Sequence, residues 1–134
     1  GKKQPFQRPS KPREFRSSAG LPIFVGRSNR QNDRLTTRTA EKWDLWFHTQ
    51  KIHGSHVILS TSGEQPDAQS IAEAASLAAY FSQAQSSTKV PVDFTQVKFV
   101  KKPAAAKPGM VVYTNYQTVL ADPNEELVKH LLVK

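Results

Sequence analysis

The chain has 134 residues, the size of one domain around one core, and its 19 Lys and Arg against 11 Asp and Glu give a formal charge of +8. Zero cysteines exclude a disulfide framework, a thiolate zinc site, an iron–sulfur cluster and a cysteine nucleophile. No apolar run approaches the ~20 residues of a membrane-spanning helix, and the basic N-terminus lacks the apolar stretch of a signal peptide, so a soluble, cytoplasmic chain is expected. Polyanions are the first partners to consider, nucleic acid ahead of an anionic membrane.

In chain order, residues 1–20 carry six Lys and Arg against Glu14, with Pro5, Pro9 and Pro12 preventing helix growth. They read as a basic, Pro-rich flexible linker, and residues 21–134 as the folded domain. Residues 23–25 form an apolar run ending at Gly26, a strand followed by a turn. Ser28 with Gln31 fits a capping box for a helix whose Leu35, Thr39 and Trp43 share one face and whose Arg30, Arg34 and Arg38 share another. Alternation over residues 44–48 puts Leu45 and Phe47 on one side of a strand and Trp46 and His48 on the other. Gly54 turns the chain into a second strand over residues 56–60.

Asp67 is the expected cap of a helix over residues 68–85. Ile71, Ala74, Ala75, Ala78 and Phe81 make its apolar stripe, and Gln69, Glu73, Ser76 and Gln83 its polar face, where Tyr80 also falls. Residues 90–100 and 110–113 read as strands, with 118–121 closing a hairpin after a turn around Asn115. Asp122, Pro123 and Glu125 supply an N-cap, a first-turn proline and a third-position carboxylate for a last helix that turns Leu127, Val128, Leu131 and Leu132 inward. The pattern predicts an α+β fold: a single mixed or antiparallel sheet packed by the alanine-rich helix, with a C-terminal helix and a short helix after Gly26.

The charge is concentrated: residues 21–62 carry +3, 63–88 carry −3 and 89–110 carry +4. Arg27, beside a predicted helix start, suits bidentate phosphate contact, or else pairs with Asp33 or Asp44. Arg30, Arg34 and Arg38 extend it as a charged helical face that either meets RNA or is simply solvated. Lys98, Lys101, Lys102 and Lys107 are point charges suited to backbone phosphate, or they blunt an edge strand together with Pro103 and Pro108. Trp46 either stacks on an unpaired base or fills the second face of a central strand. His48 and His56 are expected as hydrogen-bonded structural groups around the Gly54 turn, with His53 exposed. Three histidines in a strand-turn-strand setting are not a standard zinc arrangement, so no metal or other cofactor is expected. No nucleophile elbow, phosphate loop or HExxH pattern is present, and a hydrolase or nuclease using Asp44, His48, His53 and His56 is the alternative to a binding module that is not an enzyme.

The run Gly26-Arg27-Ser28-Asn29-Arg30-Gln31-Asn32-Asp33-Arg34-Leu35-Thr36, then Asp44-Leu45-Trp46-Phe47-His48 and Gly54-Ser55-His56-Val57, resembles the signature of the NFACT-R domain, also called domain of unknown function 814. Glu73-Ala74-Ala75, Ala78-Ala79-Tyr80-Phe81-Ser82, Val92-Asp93-Phe94-Thr95, Val100-Lys101-Lys102-Pro103 and Lys107-Pro108-Gly109 extend the resemblance over roughly residues 21–125. It implies an RNA-binding module from the C-terminal end of RqcH-like ribosome quality-control proteins of bacterial type. In that family the full protein engages obstructed large ribosomal subunits and recruits alanyl-tRNA for alanine tailing of stalled chains. Implied partners are therefore tRNA and, for the full-length protein, the large subunit and its ribosomal RNA, with no membrane and a monomeric domain. Asn29, Gln31, Asn32, Asp33, Gly54 and Ser55 join Trp46, His48 and His56 as motif or structural site residues. An adhesin-type module binding a matrix protein is suggested only by an older name for the family.

Overall fold

The computed structural model describes residues 11–134. Its strands are β1 (Arg13–Arg16), β2 (Pro22–Val25), β3 (Leu45–Thr49), β4 (Val57–Leu59), β5 (Val90–Gln96), β6 (Val100–Lys101), β7 (Val112–Tyr113) and β8 (Gln117–Ala121). Six of them form one antiparallel sheet in the order β1-β2-β4-β3-β5-β8, while β6 and β7 pair as a separate ribbon. With helices α1 (Asn29–Arg34), α2 (Ala68–Tyr80) and α3 (Glu125–Leu131), this is the expected α+β architecture.

Strand alternation explains why both faces of the sheet are covered. Leu45 and Phe47 of β3 point to the same side as Ile23, Val25, Val57, Leu59, Val90 and Val92, where α2 lays down Ala74, Ala75 and Ala78. Alanine at these positions lets the helix approach closely, and Phe47 stacks on Phe94 at 5.3 Å between ring centroids. The opposite face carries Trp46 and Ile58, which pack with Leu35 under the β6–β7 ribbon through Val100, Val111 and Tyr113. A central strand buried on both sides can therefore hold a side chain as large as Trp46 at 1% exposure.

Several elements differ from the sequence expectation. Residues 13–16, expected within a flexible linker, are strand β1: Phe15 is 1% exposed and pairs in register with Ile23. The remaining part of that linker expectation, residues 1–10, lies outside the described residues. Glu73, expected on the polar face of the helix, is buried there, and its carboxylate accepts from the Ser18 N–H at 2.8 Å and the Ser18 hydroxyl at 2.6 Å, pinning the β1–β2 loop to α2. Asp67 caps α2 through the Ser70 N–H as expected, but the helix ends at Tyr80, well before residue 85. There the chain turns to bond the 53–55 segment, with Ser55 N–H donating to the Phe81 carbonyl and Gln83 N–H to that of His53, both at 3.0 Å.

Ser28 caps α1, and Gln31 reaches back to accept from the Arg27 N–H at 2.7 Å. The helix then widens into a π turn over Leu35–Thr39, closed by Ala40 N–H donating to the Leu35 carbonyl. The wider turn buries the consecutive pair Leu35 and Thr36, leaving Thr39 exposed and Trp43 39% exposed in the following bend. Residues 90–100 are not one strand: β5 gives way to a 3₁₀ turn (Val97–Phe99), where Val97 N–H bonds the Asp44 carbonyl and Lys98 N–H that of Lys42. The hairpin expected between residues 110–113 and 118–121 does not form. β7 pairs with β6 and β8 with β5, and the Thr95 hydroxyl fixes the crossover by bonding the Thr114 carbonyl at 2.9 Å. Asn124 caps α3 in place of Asp122, whose carboxylate accepts from the Lys89 N–H. Leu131 turns inward, whereas Leu132 is 46% exposed.

Candidate nucleic-acid interface

The sequence motifs converge where α1, the 50–56 loop and the loop joining β6 to β7 meet. His56, 2% exposed, is the hub. Its Nε2 lies 3.0 Å from the Gly109 carbonyl, which can only accept, so Nε2 carries the hydrogen. Nδ1 is then the acceptor, and it takes the Trp46 indole N–H at 3.1 Å and the Thr36 hydroxyl at 2.8 Å. Burial, reinforced by neighbouring His48, pushes the His56 pKa down to about 4, so the ring is neutral at physiological pH. The backbone is held as firmly: Asn32 Oδ1 accepts from the His56 N–H at 3.1 Å.

Asp33 ties the two basic stretches together. Its Oδ1 accepts from the Gly109 N–H at 3.2 Å and pairs with Lys102 Nζ at 3.0 Å. Burial raises the Asp33 pKa, but the bonds from Lys102 and Gly109 more than offset this and hold it below the ordinary carboxylate value. Gly109 sits at φ +82°, 3.2 Å from the Asn29 carbonyl where a Cβ would stand, so a left-handed glycine is what lets the loop close onto α1. The lysine-rich loop thus lies directly against the arginine-bearing helix. One consequence is that Lys102, expected as a phosphate ligand, already has a carboxylate partner.

The other candidate cations are distributed around this junction. Arg27 is exposed and pairs with neither Asp33 nor Asp44; its Nε donates to the Lys11 carbonyl at 2.8 Å. Arg30, Arg34 and Arg38 are exposed and make no ion pair among the described residues. Lys98 reaches over the Phe99 ring, and Lys101 and Lys107 are exposed. Two adjoining clefts open at the junction, lined by Arg27 and Lys107 but not by Arg30, Arg34, Arg38, Lys98 or Lys101. A cleft of about 310 Å³ is lined by Arg13, Arg27, Ser28, Ser55 and the end of α2. A second, of about 430 Å³, is lined by His48, Lys51, Lys107, Met110 and Tyr113, with Trp46 and His56 behind; the two share Asn29, Asn32, His53 and Gly54.

Trp46 is enclosed, packed edge-on to His56 at 5.4 Å and tilted against Tyr113 at 4.7 Å. His48 is half-buried beside it, its Nδ1 donating to the Thr49 carbonyl at 2.6 Å. Burial depresses its pKa, partly countered by bonds to the Thr49 and Gly54 carbonyls. Sequence reasoning did not single out Thr36, Tyr113 or Arg13. Thr36 lies within the 26–36 motif, whereas Arg13-Glu14-Phe15-Arg16, with a single apolar residue, carries no alternation that marks a strand.

A sheet face covered by a basic helix and a lysine-rich ribbon loop, with paired clefts at their seam, defines a domain built to meet a polyanion. The pattern described as the NFACT protein RNA binding domain matches residues 11–115, and the chain belongs to this family. It is 49% identical over 129 residues to the Rqc2 homolog RqcH of Bacillus subtilis strain 168, covering 95% of this chain and 22% of that protein. It is 41% identical over 127 residues to the Rqc2 homolog RqcH of Streptococcus pneumoniae strain D39, covering 94% and 23%. The chain therefore spans under a quarter of the length of these relatives. Among solved structures, the C-terminal part of the fibronectin/fibrinogen-binding protein from Streptococcus suis superposes with a TM-score of 0.91 at 37% identity, covering 97% of this chain and 52% of that one. Among the described residues no helix is long and apolar enough to cross a membrane.

Proposed function

We propose that this chain is the RNA-contacting module of an RqcH-type ribosome quality-control factor. It engages tRNA and large-subunit ribosomal RNA in the cytoplasm, while the larger protein recruits alanyl-tRNA to obstructed subunits for alanine tailing. The observation that carries the reading is the Asp33–Lys102 and Asn29–Gly109 junction, which joins two basic stretches far apart in sequence around the clefts. In this reading the module binds rather than catalyses; in its support, both nitrogens of His56 are engaged by protein groups, so this histidine is not a free base.

Arg27, the Arg30, Arg34 and Arg38 face, Lys98, Lys101 and Lys107 supply phosphate contacts in this reading. With ~5 phosphates neutralised, the logarithm of tRNA affinity should fall against the logarithm of salt concentration with a slope of roughly −3.5 to −4.5. Arg27→Glu combined with Lys107→Glu, both at exposed positions, should lower affinity by roughly tenfold or more at low salt and flatten the slope. Fluorescence anisotropy over a salt series checks this. Wild-type affinity independent of salt, or a doubly reversed variant that binds as well, contradicts the proposal.

A further inference from the structure

The larger cleft differs from a plain cationic surface. Its volume of about 430 Å³ lies in the range of pockets that hold small ligands, and its walls combine rings and apolar groups with the polar side chains of Asn29, Asn32 and Thr49, while Lys51 and Lys107 are exposed beside it. Tyr113 is locked: its hydroxyl donates to Asp93, which also accepts from Thr118 Oγ1 at 2.6 Å and Gln50 Nε2 at 3.1 Å. His48 is fixed by the Thr49 carbonyl and lies nearly parallel to Trp46, the ring planes 5° apart. The His48 and Tyr113 rings are half-buried at the cleft rather than sealed in the core, and Met110 stands 61% exposed at its mouth. Lys51 and Lys107 stand at the rim, and the neighbouring cleft holds Arg13 and Arg27.

We infer that the two clefts form one site for an unpaired nucleotide of a single-stranded RNA segment, its base between His48, Tyr113 and Met110 and its phosphate toward Arg27. The inference rests on the RNA-binding reading and narrows it. A base inside an A-form duplex is stacked and presents only an edge, so it cannot lay its face on the rings of this cleft; a splayed base can, and stacking on fixed rings is how sequence-tolerant single-strand sites gain affinity. Phosphate attraction alone needs neither the cleft nor its aromatic walls. Preorganisation by the Asp93 network lowers the entropy lost when a base enters.

The test compares three probes of equal length by anisotropy at one salt concentration: a single-stranded RNA, the same RNA paired in a blunt duplex, and an abasic ribose-phosphate strand of equal charge. The single strand should bind roughly tenfold tighter than the abasic strand and tighter than the duplex, with the His48 ring resonances shifting only for the strand that carries bases. Met110→Ala, an exposed change, should narrow the gap between based and abasic strands. Equal affinity for the abasic strand, or duplex binding as tight as the single strand, overturns the inference while leaving RNA binding in place. Binding of none of the three overturns both.

Discussion

Gly26→Ala is expected to destabilise the domain by roughly 3 kcal/mol, far more than a methyl group added on a surface turn. A Cβ at residue 26 would stand 1.8 Å from Asn32 Oδ1, 2.9 Å from its Cγ and 3.1 Å from its Cα. The side chain cannot swing aside cheaply, because Asn32 is 5% exposed and its Oδ1 accepts the His56 N–H. Moving it leaves a buried donor unpaired, and the close approach to the Asn32 backbone remains whichever way the amide turns. Gly20→Ala is the comparison. Its φ of +90° carries a left-handed penalty of about 1 kcal/mol, but nothing lies within 4 Å of the new methyl. Urea unfolding followed by the fluorescence of buried Trp46 measures both. Equal losses for the two variants would show that residues 26 and 32 are not packed as described.

Stability should fall as the pH is lowered from 6.5 toward 4, by about 3 kcal/mol in total from His56. In the unfolded chain the imidazole takes a proton near its ordinary value of 6.5, whereas in the fold it resists protonation until about 4. Between those values the unfolded state binds more protons, so stability rises with pH; above 6.5 both forms are neutral and this contribution is flat. The cause is visible in the surroundings of the ring. Burial removes water from the charged form, and a proton on Nδ1 would face the Trp46 N–H and the Thr36 hydroxyl that now donate to it. His48, also shifted down, faces the same cluster and acts in the same direction, whereas Asp33, held below its ordinary value of 3.8, adds its loss only as the pH falls further. A titration of the His56 ring by NMR separates its share: a midpoint near 6.5 in the folded protein would contradict the assigned tautomer and its burial.

Much of the fold is legible in local pattern. Alternation across Leu45 to His48 gives β3 with its two buried faces, and Asp67 marks the start of α2 because an N-cap acts within one turn. What local pattern misses depends on distant partners. Phe15 sits among prolines and charges, so β1 becomes a strand only through its pairing with β2. Glu73 looks like a solvated carboxylate until Ser18 arrives from the β1–β2 loop. Asp122 and Asn124 both suit a cap, and the choice falls to Asn124 because Asp122 is engaged by Lys89. The candidate site shows the same division. Its cations and motif residues stand out in the sequence, but the Asp33–Lys102 pair, which consumes one cation and ties α1 to the lysine-rich loop, joins residues far apart in the chain. The π turn that delivers Thr36 to His56 breaks the spacing of four that would have pointed Trp43 inward.

The central claim, that RNA meets the seam between α1, the 50–56 loop and the β6–β7 loop, is tested most directly by amide chemical-shift mapping of the labelled chain titrated with a tRNA transcript. The largest shifts should fall on residues 26–29, 53–55 and 107–110, with α2 from residue 68 to 76 unchanged. Shifts centred on α2 or α3 and absent from the seam would contradict it.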